Sequence, residues 1–289
     1  MQAESTDSQQ VPAPYRRATV IGSIQNPSVR ESSGLIASRT TPGAYWTHND
    51  SGDGPFIYAM NAEGQSLGTW RVTGAEADDW EDIASGPGPE PGKSYLYIGD
   101  TGDNEFIRKD VTIYRVLEPK PDASLSGSSK KNPEITATAE AITMRYPSGR
   151  HNAEALLVHP QSGSVYIITK EELGNPTVYE ATAPLTAGQV ITLKSLGELK
   201  IRSLFGGVIT GGDISPDGKR VALCDYLQAY ELSLPADSKD FNDIWKQRLV
   251  SFNFGKRAQG ESIAYRLDGN GVLGTSEGKH SEVVEAVRK

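Results

Sequence analysis

Ten carboxylates recur at matching places along this chain, in two sets of five. Glu31, Glu81, Glu154, Asp213 and Glu261 each open a short apolar run. Asp50, Asp100, Glu171, Asp225 and Glu277 each close the run that follows. Side chains at equivalent places of a repeat converge on one surface, and crowded carboxylates raise one another's pKa. Such a ring needs a bound cation, basic partners or shared protons. A hard divalent ion such as Ca²⁺ takes several oxygens from carboxylates, amides and carbonyls. The Gly-flexed segment from Gly99 to Asn104 offers Asp100 and Asp103 for that purpose, and Asn49 to Asp53 is a variant of it. Neither has the spacing of an EF-hand loop. Lys170, Lys279, Arg30 and Arg150 lie near the ring in sequence and offer partial neutralisation. The opposing reading is that these carboxylates accept backbone N–H groups and fasten neighbouring elements together. Both readings stay open on the sequence.

Other reactive side chains are few. His48 and His151 stand beside ring carboxylates, in His48-Asn-Asp50 and His151-Asn-Ala-Glu154, where an imidazole can serve as acid, base or ligand. A hydrogen-bonded structural histidine is the plainer account of each. Trp46 and Trp80 offer flat faces for a sugar ring, or simply fill a core. His159 and His280 fall in or beside turns, as does Asp217 in Ser215-Pro-Asp-Gly218. There is no HExxH zinc spacing, no Ser-His-Asp order, no nucleophile elbow and no Gly-rich phosphate loop.

Strand signals must position these groups, since no amphipathic helix of three turns is visible. Each paired run is followed by a third, such as Phe56-Ile-Tyr58, Val111 to Tyr114 or Val283-Val-Glu285. Fourth strands are expected at 68–72, 140–146, 189–193 and 247–252. The repeat therefore predicts an all-β, five-bladed β-propeller, with six blades as the alternative. The last repeat ends after its third strand, and a surplus strand stands at 17–24. That N-terminal strand is expected to complete the last blade and close the ring, which removes an exposed sheet edge. Residues 15–289 then form a single propeller domain, and residues 1–14 a flexible N-terminal arm. Pro119 to Glu134, rich in Ser, Lys and Pro, reads as a flexible surface insertion. One short helical stretch is expected within 238–246.

The 289 residues carry 29 Lys and Arg against 37 Asp and Glu, a net charge of −8. That balance argues against nucleic acid and against an anionic membrane surface. It suits cations, cationic ligands or neutral sugars. Cys224 is the only cysteine, which excludes an internal disulfide, and its apolar run marks it as a core residue. The polar first fourteen residues read as the remnant of a processed secretion signal, so a secreted or periplasmic monomer is expected.

The strings Asp79-Trp-Glu-Asp-Ile-Ala, Tyr97-Ile-Gly-Asp-Thr-Gly-Asp-Asn, Asn152-Ala-Glu-Ala-Leu-Leu-Val and Asp213-Ile-Ser-Pro-Asp-Gly resemble a group of secreted bacterial propellers without assigned activity. More distantly the blade pattern is similar to TolB-like, phytase-like and gluconolactonase-type propellers. That resemblance implies a divalent ion, Ca²⁺ or another, bound by carboxylates at the channel mouth. Those relatives usually carry six blades, where five are counted in this chain. The candidate ligands are Asp100, Asp103, Glu31, Glu81, Glu154, Asp213 and Glu261. One function consistent with the pattern is hydrolysis of a glycan, or of a phosphate or carboxylate ester. Glu154 or Glu81 would then act as acid, Asp50 as base and His48 as an assisting group, the two carboxyls having divergent pKa values. The alternative is a non-catalytic propeller that binds a small molecule, a saccharide or a protein on the same face.

Overall fold

A computed structural model of the chain describes residues 14–201, 207–257 and 259–289. Five small sheets stand in a ring as the blades of a five-bladed β-propeller. The first blade runs outward through Ser32–Ala37, Ala44–Asn49, Phe56–Asn61 and Ser66–Thr73. The second runs through Trp80–Pro87, Ser94–Asp100, Val111–Leu117 and Glu140–Arg145. The third holds Ala153–Val158, Val165–Thr169, Thr177–Ala181 and Lys194–Glu198. The fourth holds Gly211–Ile214, Arg220–Cys224, Gln228–Ser233 and Val250–Asn253. The fifth holds Ala264–Tyr265, Gly271–Gly274 and Glu282–Val287. Its outer place is taken by Thr19–Ser23, which pairs antiparallel with Glu282–Val287. The N-terminal strand thus completes the last blade.

Alternating side chains of each strand face opposite neighbours, so every blade is apolar on both flat sides. In the third blade Leu156 packs toward the second blade, while Ala155 and Leu157 pack toward the fourth. Five such apolar clusters fill the five contacts between blades, including Leu35, Tyr58 and Leu273 between the first and the last. The ring is therefore closed. Trp46 and Trp80 are fully buried in one of these clusters, so neither offers a face to a sugar. Cys224 lies in another, fully buried.

Two outer elements differ from the sequence expectation. The run at 189–193 does not finish the third blade: Val190–Thr192 pairs in parallel with Glu140–Arg145, as a fifth strand of the second. The third blade is finished by Lys194–Glu198, a mostly exposed and polar strand that carries little hydrophobic pattern. The insertion at 119–134 is not a free loop. It makes a short 3₁₀ turn, Ala123–Leu125, and lies against the first blade, where Ser128 Oγ accepts the N–H of Thr69. It then leads into Glu134–Thr138, which pairs in parallel with Ser66–Thr73. The expected helical stretch is the 3₁₀ segment Phe241–Lys246. Of the N-terminal arm, only Pro14 lies within the described residues. No helix among them is long and apolar enough to cross a membrane.

Candidate metal centre at the channel mouth

Local irregularity of the inner strands builds the site. In the second blade the register passes from Trp80 opposite Asp100 to Asp82 opposite Gly99, which leaves Glu81 as an extra residue. In the third it passes from Ala153 opposite Thr169 to Ala155 opposite Ile168, which leaves Glu154. A bulge of this kind re-aims the side chain it carries. Asp79 lies two residues before Glu81, in the bend that leads into Trp80–Pro87. Asp50 follows the second strand of the first blade. Its neighbour Asn49 fixes that strand end by accepting the N–H groups of Arg30 and Glu31, at 2.7 and 3.0 Å.

Oxygens of Asp50, Asp79 and Glu81 lie within 4.8 Å of one another, a span that one ion can bridge. Calcium–oxygen distances are about 2.3–2.6 Å, so oxygens on opposite sides of such an ion stand roughly 5 Å apart. Gly102 closes the back of this group. A Cβ there would stand 2.2 Å from Asp79 Oδ2 and 2.3 Å from Glu81 Oε1, so both carboxyl groups would have to shift.

Charge at the mouth is poorly balanced. Burial raises the Glu81 carboxyl well above its usual range, and Glu154, Asp50 and Asp79 add to the effect. Burial, then Asp50, pushes Asp79 up to about 6. Glu261 is pushed up to about 9, by burial and then by Glu154. Burial takes Glu154 up to about 7 against the pull of Lys170. The Lys170 ammonium contacts Glu154 directly and stands 5.4 Å from the centre of the Tyr226 ring. Burial opposes its charge, but the Glu154 carboxylate more than offsets this and keeps it protonated. The guanidinium of Arg108 is likewise engaged, 2.7 Å from Asp100. Each of these two cations therefore has its own carboxylate.

The other expected ligands have different employment. Asp100 accepts the N–H groups of Asp78 and Asp79 besides its ion pair with Arg108. Asp103 accepts the N–H groups of Ile107 and Arg108 at 2.8 and 2.9 Å, which ties the segment from Asp103 to Arg108 upon itself. Asp213 stands one step deeper than the glutamates. It accepts from Ile214 and, across the blade boundary, from Tyr265 at 2.8 Å. Its true counterpart is Asp82, buried and bonded to Ile83, Leu156 and Gly212, which links three blades. The fastening reading thus holds for Asp100, Asp103 and Asp213. Glu31 is exposed at the rim, and Glu261 is buried beside Glu154 and Glu277.

His48 is fully buried, edge-on to Trp80, and donates from Nδ1 to the Asn49 carbonyl at 2.8 Å. Its Nε2 has no hydrogen-bond partner among the described residues, and burial lowers its pKa. Buried to this degree, it does not reach a ligand at the mouth. Sequence reasoning missed Asp79, Asp82 and Gly102. The first two were legible as the acids that flank Trp80-Glu81, while Gly102 had no distinguishing signal among many turn glycines. No protein-family model matches the chain, and no curated protein matches it significantly.

Proposed function

We propose that the channel mouth binds a divalent cation, that the ion is Ca²⁺, and that Asp50, Asp79 and Glu81 are its protein ligands. The observation that carries this reading is the convergence of three carboxylates within 4.8 Å while Lys170 and Arg108 neutralise other residues. Three carboxylates supply fewer oxygens than Ca²⁺ takes, so coordination positions remain for water or ligand oxygens. The bound ion would hold an oxygen-rich ligand, a saccharide or an ester, and polarise it from the propeller face. Mg²⁺ asks for near-octahedral geometry and sheds water reluctantly, which fits a mouth built on flexible loop ends less well.

A second reading rests on a separate observation. Glu154 lies against Lys170, whereas Glu81 faces carboxylates, so two neighbouring acids have unlike surroundings. Such a pair suits metal-free acid–base hydrolysis of a glycoside, with Glu81 protonated and Glu154 ionised.

Terbium luminescence discriminates the two. Tb³⁺ occupies oxygen sites of this type, and Trp80 adjoins Glu81. Excitation of tryptophan should give terbium emission that saturates, falls when Ca²⁺ is added, and disappears in Asp79→Asn. Emission that is absent, or unchanged in Asp79→Asn, removes the cation site and leaves the acid–base reading.

A further inference from the structure

A second reactive constellation lies outside the cation site, on the turn between the second and third blades. Ser148 Oγ is 2.9 Å from His151 Nε2. On the other side of the ring, His151 Nδ1 stands 3.8 Å from Glu171 Oε1, just beyond hydrogen-bond distance. Tyr179 OH reaches both partners, at 2.5 Å from Ser148 Oγ and 3.1 Å from His151 Nε2. In the tautomer that carries its proton on Nδ1, on the side of Glu171, Nε2 has the lone pair and can accept a proton from the serine. A hydroxyl within hydrogen-bond reach of an imidazole that a third group orients is the general signature of an activated nucleophile. Residue order does not matter to it, since triads are recognised by geometry and roles. The longer contact to Glu171 is of the kind that tightens when substrate binds.

The surroundings suit a substrate. Ser148 is exposed, while His151 and Glu171 are partly buried and Tyr179 is fully buried. The histidine is held by rings on two sides, Tyr146 at 5.1 Å and Tyr179 at 5.4 Å between centres. Among the described residues the backbone N–H groups of Ser148 and Arg150 donate no hydrogen bond, while that of Gly149 closes the turn at 147–148. The former two donors, with the Arg150 guanidinium, are available to a developing oxyanion. Arg150 also ties this turn to a neighbouring loop through the Phe106 carbonyl at 3.3 Å. That loop carries Phe106 and Ile107, which are 50% and 64% exposed.

The geometry points to Ser148 as the nucleophile of an esterase site, with His151 as its base, Glu171 as the positioning residue and a carboxylic ester with an apolar acyl group as substrate. Ser148 Oγ bonds to the acyl carbon as its proton passes to His151 Nε2. The C–O bond to the alcohol then breaks, and the alcohol leaves with that proton. Water, deprotonated by the same imidazole, attacks the acyl-serine, which releases the carboxylic acid and restores the serine.

The test uses p-nitrophenyl butyrate turnover and fluorophosphonate labelling, both in excess chelator, so that failure of the cation site does not affect the result. Labelling should map to Ser148, and Ser148→Ala and His151→Asn should lower turnover about a hundredfold or more. Both variants should keep the wild-type unfolding midpoint within a few degrees. Glu171→Gln should lower kcat with KM unchanged and shift the acid limb of the pH profile. An unlabelled Ser148, or full turnover in Ser148→Ala, would show that these groups only brace the turn.

Discussion

Tyr15 donates a 2.5 Å hydrogen bond to Glu231, a residue 216 positions away in the third strand of the fourth blade. Arg288 reaches the same carboxylate from the other end of the chain at 2.8 Å, and Tyr265 adds a third donor. Glu231 thus gathers both ends of the described chain onto one buried carboxylate. This clasp complements the pairing of the N-terminal strand with the last blade, and it sits where a closed ring would otherwise open first.

Loss of the clasp should therefore destabilise the whole ring. Tyr15→Phe removes a hydrogen bond to a charged acceptor, worth about 1.5–3 kcal/mol. Equilibrium urea unfolding should show a lower midpoint with an unchanged slope. Glu231→Ala should cost more, because it leaves Arg288 and two tyrosine hydroxyls without their acceptor.

Asp82 makes a contrasting structural prediction. Its carboxyl accepts N–H groups from three blades, and it is 1% exposed. Asp82→Ala orphans buried donors, at a cost of about 1–3 kcal/mol for each. Fluorescence-monitored unfolding should register a loss larger than that of Tyr15→Phe, and an unaltered midpoint would contradict the assigned role.

Gly102→Ala tests the cradle. The added Cβ meets the carboxyl groups of Asp79 and Glu81, which must move apart. Cation affinity should fall at least tenfold by calorimetric titration. Ala at Gly92, where a Cβ meets nothing within 4 Å but the φ of 75° carries backbone strain, serves as the control. It should lower stability slightly and leave affinity intact.

Acidity gives a further test with a definite sign. Asp213 and Glu154 are pushed up to about 7 and Glu261 to about 9, chiefly by burial. The folded chain therefore retains protons that the unfolded chain releases near a pKa of about 4. Over the window from about pH 4 to 7 the unfolded state binds fewer protons, so stability of the cation-free protein must fall as pH rises. Cation affinity runs the opposite way. Asp79, pushed up to about 6, and Glu81, raised well above its usual range, must both lose their protons to bind, so the apparent Kd should rise as pH falls toward 6 and below.

Much of this architecture was legible in the sequence, for identifiable reasons. The inner three strands of each blade are apolar on both sides, and the repeat of Glu81, Glu154 and Glu261 marks where they start. Outer strands carry no such pattern: Lys194–Glu198 is mostly exposed, and the more apolar Val190–Thr192 drew the assignment in its place. The site was legible as a crowded acidic face but not in its membership. A one-residue bulge decides that Glu81 faces the mouth while Asp82 turns into the backbone of two neighbouring blades. Asp213 shares the second fate, although its position in the repeat suggested the first. His151 and Glu171 were legible as candidates one by one, but Ser148 and the grouping of the three were not, for another reason. Glu171 lies two residues beyond the strand Val165–Thr169 of the third blade, 23 residues past Ser148, and the register of that sheet brings it to the imidazole.

The most direct test of the cation site is thermal unfolding of chelator-treated protein against increasing Ca²⁺, for the wild type and for Asp79→Asn. A ligand at a hundred times its Kd stabilises by about 2.7 kcal/mol. For a chain of this size that is a rise of roughly 5 °C or more. The account predicts this rise in the wild type at pH 7.5 and its loss in Asp79→Asn. An unchanged wild-type midpoint, or an equal rise in both proteins, would contradict the assignment of Asp50, Asp79 and Glu81 as the ligands.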